Sequence, residues 1–348
     1  MTVVPAIQRV LVLGTGAMGA LLGARLARGG LVEVTLAGTW SAALDAIGRH
    51  GVVVVEDDED EGRVWSARPG VAPLDGPLPR ADLVLVLVKS HRTAAVAPHA
   101  ARALAPGGVA LSLQNGLGNR EALAAACGGE RVLQGVTAIG STVIAAGRVR
   151  AFGAGGTVVG AAPAPAAAQA VVLLLRRCGL PATVVADLTG ALWRKLAVNS
   201  AINPVSALTG VTNGELLARA DARAVMAAAA LEVEAVARAL GVDGASGWVD
   251  AVFSVAHATA GNRSSMLQDV LRGVPTEIDA INGAVTREAR RLGLPAPVNE
   301  WLWNAVRSLP ADGAPRASVA GAQRVPLPGL AGCPLPLGSV GALAGAAP

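Results

Sequence analysis

Residues 9–28 constrain the fold more than any other stretch of the chain. Arg9-Val10-Leu11-Val12-Leu13 is a short apolar run of the kind a buried parallel strand shows. Gly14-Thr15-Gly16-Ala17-Met18-Gly19 follows at once, and Ala20 to Arg28 then carries a helical pattern. A G-x-G-x-x-G run with a strand before it and a helix after it predicts a βαβ unit whose first turn receives a dinucleotide. The glycines permit the tight turn and let a pyrophosphate approach backbone N–H groups at a helix N-terminus. Gly14, Thr15, Gly16, Ala17, Met18 and Gly19 are therefore the candidate cofactor cradle.

The next strand, Val32 to Ala37, is expected to end near the adenosine ribose. An acid there favours NAD and a base favours NADP, but this chain has Gly38-Thr39-Trp40-Ser41. Two hydroxyls, with Arg49 reaching in, are the groups on offer to a 2′-phosphate, and these residues leave the choice of cofactor open. Glu56 to Glu61 is a run of six acids, read as a solvated loop between two edge strands. Asp82 to Lys89 reads as a second buried strand ending in a lysine. Ligands of open α/β sheets bind outside the carboxyl ends of strands, so Lys89 is placed to meet cofactor or substrate, whereas His91 reads as a loop histidine. Val109 to Leu113 repeats the pattern, and Asn115 at its end suits a nicotinamide or substrate oxygen. Val132 to Gly160 is β-like, with hairpins expected around Gly147 and Gly155. Ala161 to Ala168 reads as a turn, Gln169 to Cys178 as a helix, and Pro181 to Val185 as the last strand.

From about Asp187 the pattern turns helical, and Leu192 to Pro204 is its most informative part. Of 29 basic side chains, all are arginine except Lys89 and Lys195. A lysine delivers a proton and passes through its neutral form, which arginine in practice does not. Lys195, Asn199 and Asn203 lie at i, i+4 and i+8 and share a helix face. Pro204 is expected to end or kink that helix, leaving Asn203 at the rim of whatever the helix faces. One ammonium and two amides as a set suit a small polar substrate with carbonyl or carboxylate oxygens, although each asparagine alone is better explained by helix-face polarity or capping. Glu215 to Leu240 and Trp248 to Thr259 read as further helices. Thr276 reads as the cap of a helix beginning at Glu277.

With 348 residues, two domains are the natural expectation. We place a dinucleotide-binding domain at 1–186, a helical substrate domain at 187–312, and a flexible Ala/Gly/Pro-rich tail at 313–348. The formal charge of +4 is mild, the arginines form no block, and tyrosine is absent, which argues against nucleic-acid binding. Cys127, Cys178 and Cys333 show no metal-ligand spacing and read as thiols in a reducing compartment. No metal site is expected. No signal peptide and no membrane span is indicated, so the expected setting is the cytoplasm, as a monomer or a homodimer.

These marks together resemble the ketopantoate reductases (2-dehydropantoate 2-reductases). They are Gly14-x-Gly16-x-x-Gly19, Val88-Lys89, Leu113-Gln114-Asn115-Gly116-x-Gly118 and Trp193-x-Lys195-x-x-x-Asn199-x-x-x-Asn203. Ser264-Ser265-Met266-Leu267-Gln268-Asp269, and then Gly273-x-x-Thr276-Glu277-Ile278-Asp279-x-Ile281-Asn282-Gly283, complete them. The resemblance implies a Rossmann-type N-terminal α/β domain with a mostly parallel sheet and an all-helical C-terminal domain. It implies NAD(P)H-dependent reduction of 2-dehydropantoate to pantoate, in pantothenate and coenzyme A biosynthesis. It also implies that Lys195 is the general acid and that Glu277 bonds a substrate hydroxyl and helps fix the site. Asn199, Asn203 and Ser265 bind substrate on this reading, and Lys89 and Asn115 border cofactor and substrate. NADPH is the family's usual donor, with NADH the other possibility, because many relatives carry an arginine where this chain has Gly38-Thr39. Two other functions fit the same residues: reduction of a different 2-oxo acid or related carbonyl compound, and a non-catalytic dinucleotide sensor.

Overall fold

The computed structural model describes residues 6–56, 62–153 and 155–309. Within them the chain divides into two units. The first runs to Gln114 and resumes from Gly118 to Leu188; the second takes Asn115–Leu117 and the described chain from Thr189 onward.

The first unit contains, in order, β1 (Arg9–Leu13), α1 (Ala17–Gly29), β2 (Glu33–Gly38), α2 (Ser41–His50), β3 (Val52–Glu56), β4 (Arg63–Ala67), β5 (Gly70–Pro73) and β6 (Ala81–Val86). It continues through α3 (Thr93–Ala103), β7 (Leu104–Ser112), α4 (Asn119–Cys127), β8 (Val132–Thr137), β9 (Gly140–Ala145), β10 (Arg148–Phe152), β11 (Thr157–Gly160), α5 (Pro165–Arg177) and β12 (Ala182–Val185). Among the described residues, eight strands form one sheet in the order β12-β11-β8-β7-β6-β1-β2-β5. It is parallel from β5 through β8, and β11 joins β8 antiparallel. Both faces are covered, which explains why the inner strands are uninterrupted apolar runs. Alternate residues serve opposite sides. Val10, Val12, Leu83 and Leu85 pack with Leu21, Leu22 and Leu26 of α1 and with Val171 and Leu175 of α5. Leu11, Leu13, Val84 and Val86 pack with Val96 and Ala100 of α3 and Leu123 of α4.

A second sheet, β4-β3-β10-β9, lies on α1. Val52, Val54 and Val149 join the same core as the α1 leucines, so α1 has a sheet on each side. The hairpin expected at Gly147 exists, between β9 and β10. The one expected at Gly155 does not: β10 and β11 belong to different sheets, and the chain there crosses between them. Gly155 instead lies against Ala138, where a Cβ would come within 2.5 Å of the alanine methyl. Helix α5 starts four residues before Gln169, at Pro165, because proline at the first helical position gives up an N–H that has no helical partner anyway.

The second unit is helical: α6 (Thr189–Thr209), α7 (Asn213–Leu217), α8 (Ala220–Ala239), α9 (Trp248–Ala258), α10 (Ser265–Leu271), α11 (Asn282–Arg291) and α12 (Pro297–Arg307). The single helix expected from Glu215 to Leu240 is two. Thr212 and Glu215 close a capping box on the short α7, and the chain restarts after Arg219. Helix α6 is central, packed by α7, α8, α9, α10 and α12. Nearly every residue of its second half is buried, as an all-round apolar helix must be.

Cys127 and Cys178 are buried free thiols. No helix among the described residues is long and apolar enough to cross a membrane. Most of the acidic run, residues 57–61, and the tail expected from residue 313 lie outside the described residues; Glu56 closes β3 and pairs with Arg25 at 2.5 Å.

Candidate functional site

In the first unit the glycine loop is built by contact. Gly14 N–H donates to the Ala37 carbonyl at 2.8 Å, and its φ of +124° is open to glycine alone in practice. A Cβ on Gly14 would lie 2.9 Å from the Leu87 backbone, and one on Gly19 would lie 1.8 Å from the Gly14 carbonyl oxygen. Those two glycines are closed against the protein. Gly16 is not: nothing lies within 4 Å of its Cβ position. Helix α1 begins beside it with no side-chain cap and no acid in its first turn. Unfilled N–H groups facing open space suit a pyrophosphate, so these residues fit the dinucleotide the sequence calls for. Thr15 is buried, and its Oγ1 fills the place a Cβ on Gly38 would need, at 2.6 Å. No arginine side chain can start at position 38 without displacing Thr15.

Three expectations near this loop are corrected. Arg49 does not reach the ribose end of β2: it lies in the last turn of α2, with Nε on the Asp45 carbonyl at 3.3 Å. Lys89 is not the end of its strand, because β6 stops at Val86 and Lys89 precedes a 3-10 turn, Ser90–Arg92. Asn115 likewise lies beyond β7, which ends at Ser112. The loop bearing Lys89 is held by Gln114, a residue given no role of its own by the sequence. Gln114 is buried; its Nε2 donates to the Val88 carbonyl at 2.8 Å and to Thr93 Oγ1 at 2.7 Å, while its Oε1 accepts from Ser112 Oγ at 2.9 Å.

In the second unit, Lys195 and Asn199 share the first half of α6 and are half-buried. Asn203 departs from the expectation. The helix does not stop at Pro204 but runs on to Thr209, and Asn203 is buried at 7% exposure instead of standing at a rim. Each four-residue step overshoots a helical turn by about 40°, so two steps carry Asn203 off the Lys195 face and into the packed core.

Burial of the Lys195 ammonium pulls its pKa from 10.5 down to about 8, against the opposing pull of the Glu277 carboxylate. Glu277 is itself buried, at 6% exposure, and its Oε2 accepts from Asn115 Nδ2 at 3.2 Å. Asn115, Lys195 and Glu277, spread over 163 positions of sequence, thus meet in one place. The backbone explains how Asn115 arrives: Leu117 N–H donates to the Ala280 carbonyl at 2.9 Å, and a Cβ on Gly116 would strike that carbonyl at 2.4 Å. Glu277 does not open a helix. Residues 277–281 are turns, and α11 begins at Asn282. Thr276 Oγ1 accepts from Ile278 N–H at 3.4 Å, so it caps that turn and not a helix. Ser265 is exposed at the first position of α10. The cap is its neighbour Ser264, which accepts from Leu267 N–H at 3.1 Å and donates to the Asn203 carbonyl at 3.4 Å.

Residues 10–164 match the family model described as ketopantoate reductase PanE/ApbA, and residues 187–309 match its C-terminal model. The chain is 38% identical to the 2-dehydropantoate 2-reductase of Halobacterium salinarum, over 88% of this chain and 100% of that one. It is 37% identical to that of Archaeoglobus fulgidus, over 87% and 98%. The crystal structure of a PanE/ApbA family ketopantoate reductase from Ralstonia eutropha superposes with a TM-score of 0.78 at 32% identity, covering 86% of this chain and 97% of that one. With both halves matched and the glycine loop and the lysine helix each in its expected fold, the chain belongs to the ketopantoate reductase family.

Proposed function

We propose that the protein reduces 2-dehydropantoate to pantoate, a step of pantothenate and coenzyme A biosynthesis, with NADPH as donor. The observation that carries the reading is the Lys195 ammonium, desolvated on α6 beside Glu277, with its pKa drawn down to about 8. A reduced nicotinamide dinucleotide, when bound, supplies hydride to the substrate's carbonyl carbon. Lys195 Nζ stabilises the negative charge that develops on the carbonyl oxygen and gives that oxygen its proton. With a pKa near the working pH, Lys195 is both protonated and a better donor than an exposed lysine, and such help contributes about 10²–10⁴-fold.

Glu277 accepts a hydroxyl of the substrate while Asn115 Nδ2 keeps its carboxylate oriented. Asn199 and Ser265 present amide and hydroxyl groups to the substrate's oxygens, whereas Asn203, buried off the Lys195 face, is given no contact with the substrate. Gly14, Thr15, Gly16, Ala17, Met18 and Gly19 receive the pyrophosphate, and Lys89 and Asn115 border the rest of the cofactor. The choice of NADPH is supported by the family alone. At the end of β2 this chain offers the hydroxyls of Thr39 and Ser41.

The test is oxidation of reduced cofactor, followed by its absorbance, with ketopantoate and with NADPH and NADH in parallel. Rapid oxidation with NADPH supports the whole reading. Rapid oxidation with NADH alone keeps the reaction and corrects the donor. Binding of either cofactor without turnover moves the substrate to another 2-oxo acid, and no cofactor binding ends the reading.

A further inference from the structure

Pro204 leaves a defect in the helix that carries Lys195. Proline has no N–H, and in a helix that N–H would bond the carbonyl four residues back. The carbonyl concerned is Ser200, which directly follows Asn199. Ser200 is fully buried, so water cannot stand in for the missing donor.

The donor comes from another helix. Asn282 Nδ2 donates to the Ser200 carbonyl at 2.9 Å and also to Asn299 Oδ1 at 3.0 Å. Asn282 and Asn299 are both at 0% exposure. Asn299 is fixed in turn. Its Nδ2 donates to the Ala229 carbonyl at 3.0 Å and to Glu232 Oε2 at 2.8 Å, and its backbone N–H donates to the same oxygen at 2.8 Å. Val298 N–H fills Glu232 Oε1 at 2.8 Å. This chain of bonds ties α6, α8, α11 and α12 together through one buried asparagine pair. The Asn282 amide is committed as a donor, since its own Oδ1 has no partner among the described residues. A residue present only to fill space would not need to leave an acceptor unmet.

Asn282 also opens α11 directly after the 277–281 turn that carries Glu277. One side chain therefore anchors the segment holding the carboxylate to the helix holding the ammonium. We propose, resting on the reading of Lys195 and Glu277 given above, that Asn282 is a positioning residue for the reduction: it replaces the backbone bond that Pro204 removes and so holds the Lys195 half of α6 against the Glu277 turn.

The test is a cycle of Asn282→Ala and Pro204→Ala, because alanine at 204 returns the backbone N–H to Ser200. Asn282→Ala alone lowers kcat about tenfold and moves the alkaline limb of the pH–rate profile by about half a unit, with KM for the dinucleotide unchanged. In the Pro204→Ala background the same substitution costs less than about threefold, and its cost in denaturant midpoint shrinks as well. A wild-type kcat and pH limb in Asn282→Ala overturns the proposal, as does an equal loss in both backgrounds. If Asn282→Ala does not fold alone, the proposal requires that it fold with Pro204→Ala, and failure there overturns it too. The midpoint is read without substrate, so a protein that reduces no ketopantoate fails the functional reading while the coupling of Asn282 to Pro204 is still decided.

Discussion

On the proposed reading, the glycine loop and the Lys195 helix do their work by opposite means. Around Gly14–Gly19 the functional atoms are backbone N–H groups, and what matters is where side chains are missing. Gly14 is closed by the Leu87 backbone and Gly19 by the Gly14 carbonyl, while Gly16 stays open, and no group in the loop titrates. On α6 the functional atom is a side-chain ammonium, and its usefulness depends on a protonation state that burial and Glu277 set between them. A site made of shape tolerates any pH and fails when an atom is added. A site made of a tuned charge depends on pH and fails when its neighbours move or lose their charge.

The largest effect expected separates the two directly. Lys195→Ala lowers turnover at least about a hundredfold while dinucleotide affinity, measured by fluorescence titration, changes little. Comparable losses in both would mean the two regions are not independent. Next come the glycines. Gly19→Ala puts a methyl 1.8 Å from the Gly14 oxygen, so dinucleotide affinity drops by more than about tenfold and the melting temperature falls. Gly16→Ala, with open space around it, leaves the melting temperature within about a degree of wild type and weakens the dinucleotide alone. Equal melting losses in the two variants would show that Gly16 is not the open side of the cradle.

The charge-based site carries the pH dependence. If Lys195 is the general acid proposed, it must be protonated to act, so the reduction rate is expected to decline as pH rises through about 8. Folding stability moves the other way. The folded state releases the Lys195 proton before the unfolded state does, so this residue's contribution rises with pH between about 8 and 10.5. Glu277→Gln removes the charge that raises the Lys195 pKa, so the alkaline limb moves to lower pH; a limb that stays in place would detach Lys195 from that limb. The smallest effect is at Arg49. Lying at the far end of α2 from the ribose, Arg49→Ala leaves the ratio of NADPH to NADH efficiency within about twofold of wild type.

Residues near one another in sequence made the main sheet and the dinucleotide loop legible. β1 appears with the bounds the apolar run gives it, and the glycines follow at fixed offsets. The second sheet was not legible as a sheet. Its strands come from residues 52–67 and 140–152, and β3 pairs in parallel with β10, about 95 positions away. Of the end or kink expected at Pro204, the end does not occur, for a related reason. Proline's preference to end a helix is local, and the compensation comes from Asn282 on α11. Arg49 is offered to the ribose because no helix is read over residues 41–50, and α2 puts position 49 in its last turn, away from the end of β2.

The sequence by itself determined the strands and glycine loop that open the main sheet, and the helix that carries Lys195. Periodicity, glycine spacing and the scarcity of lysine are properties of the chain as written, and no folding is needed to read them. Only the tertiary structure decided the chemistry of that lysine. Desolvation, the Glu277 carboxylate, the Asn115 amide that orients it and the Asn282 amide that repairs α6 arrive from segments far apart in the chain. An electrostatic environment is a sum over neighbours in space, and those neighbours do not exist until the helices have packed.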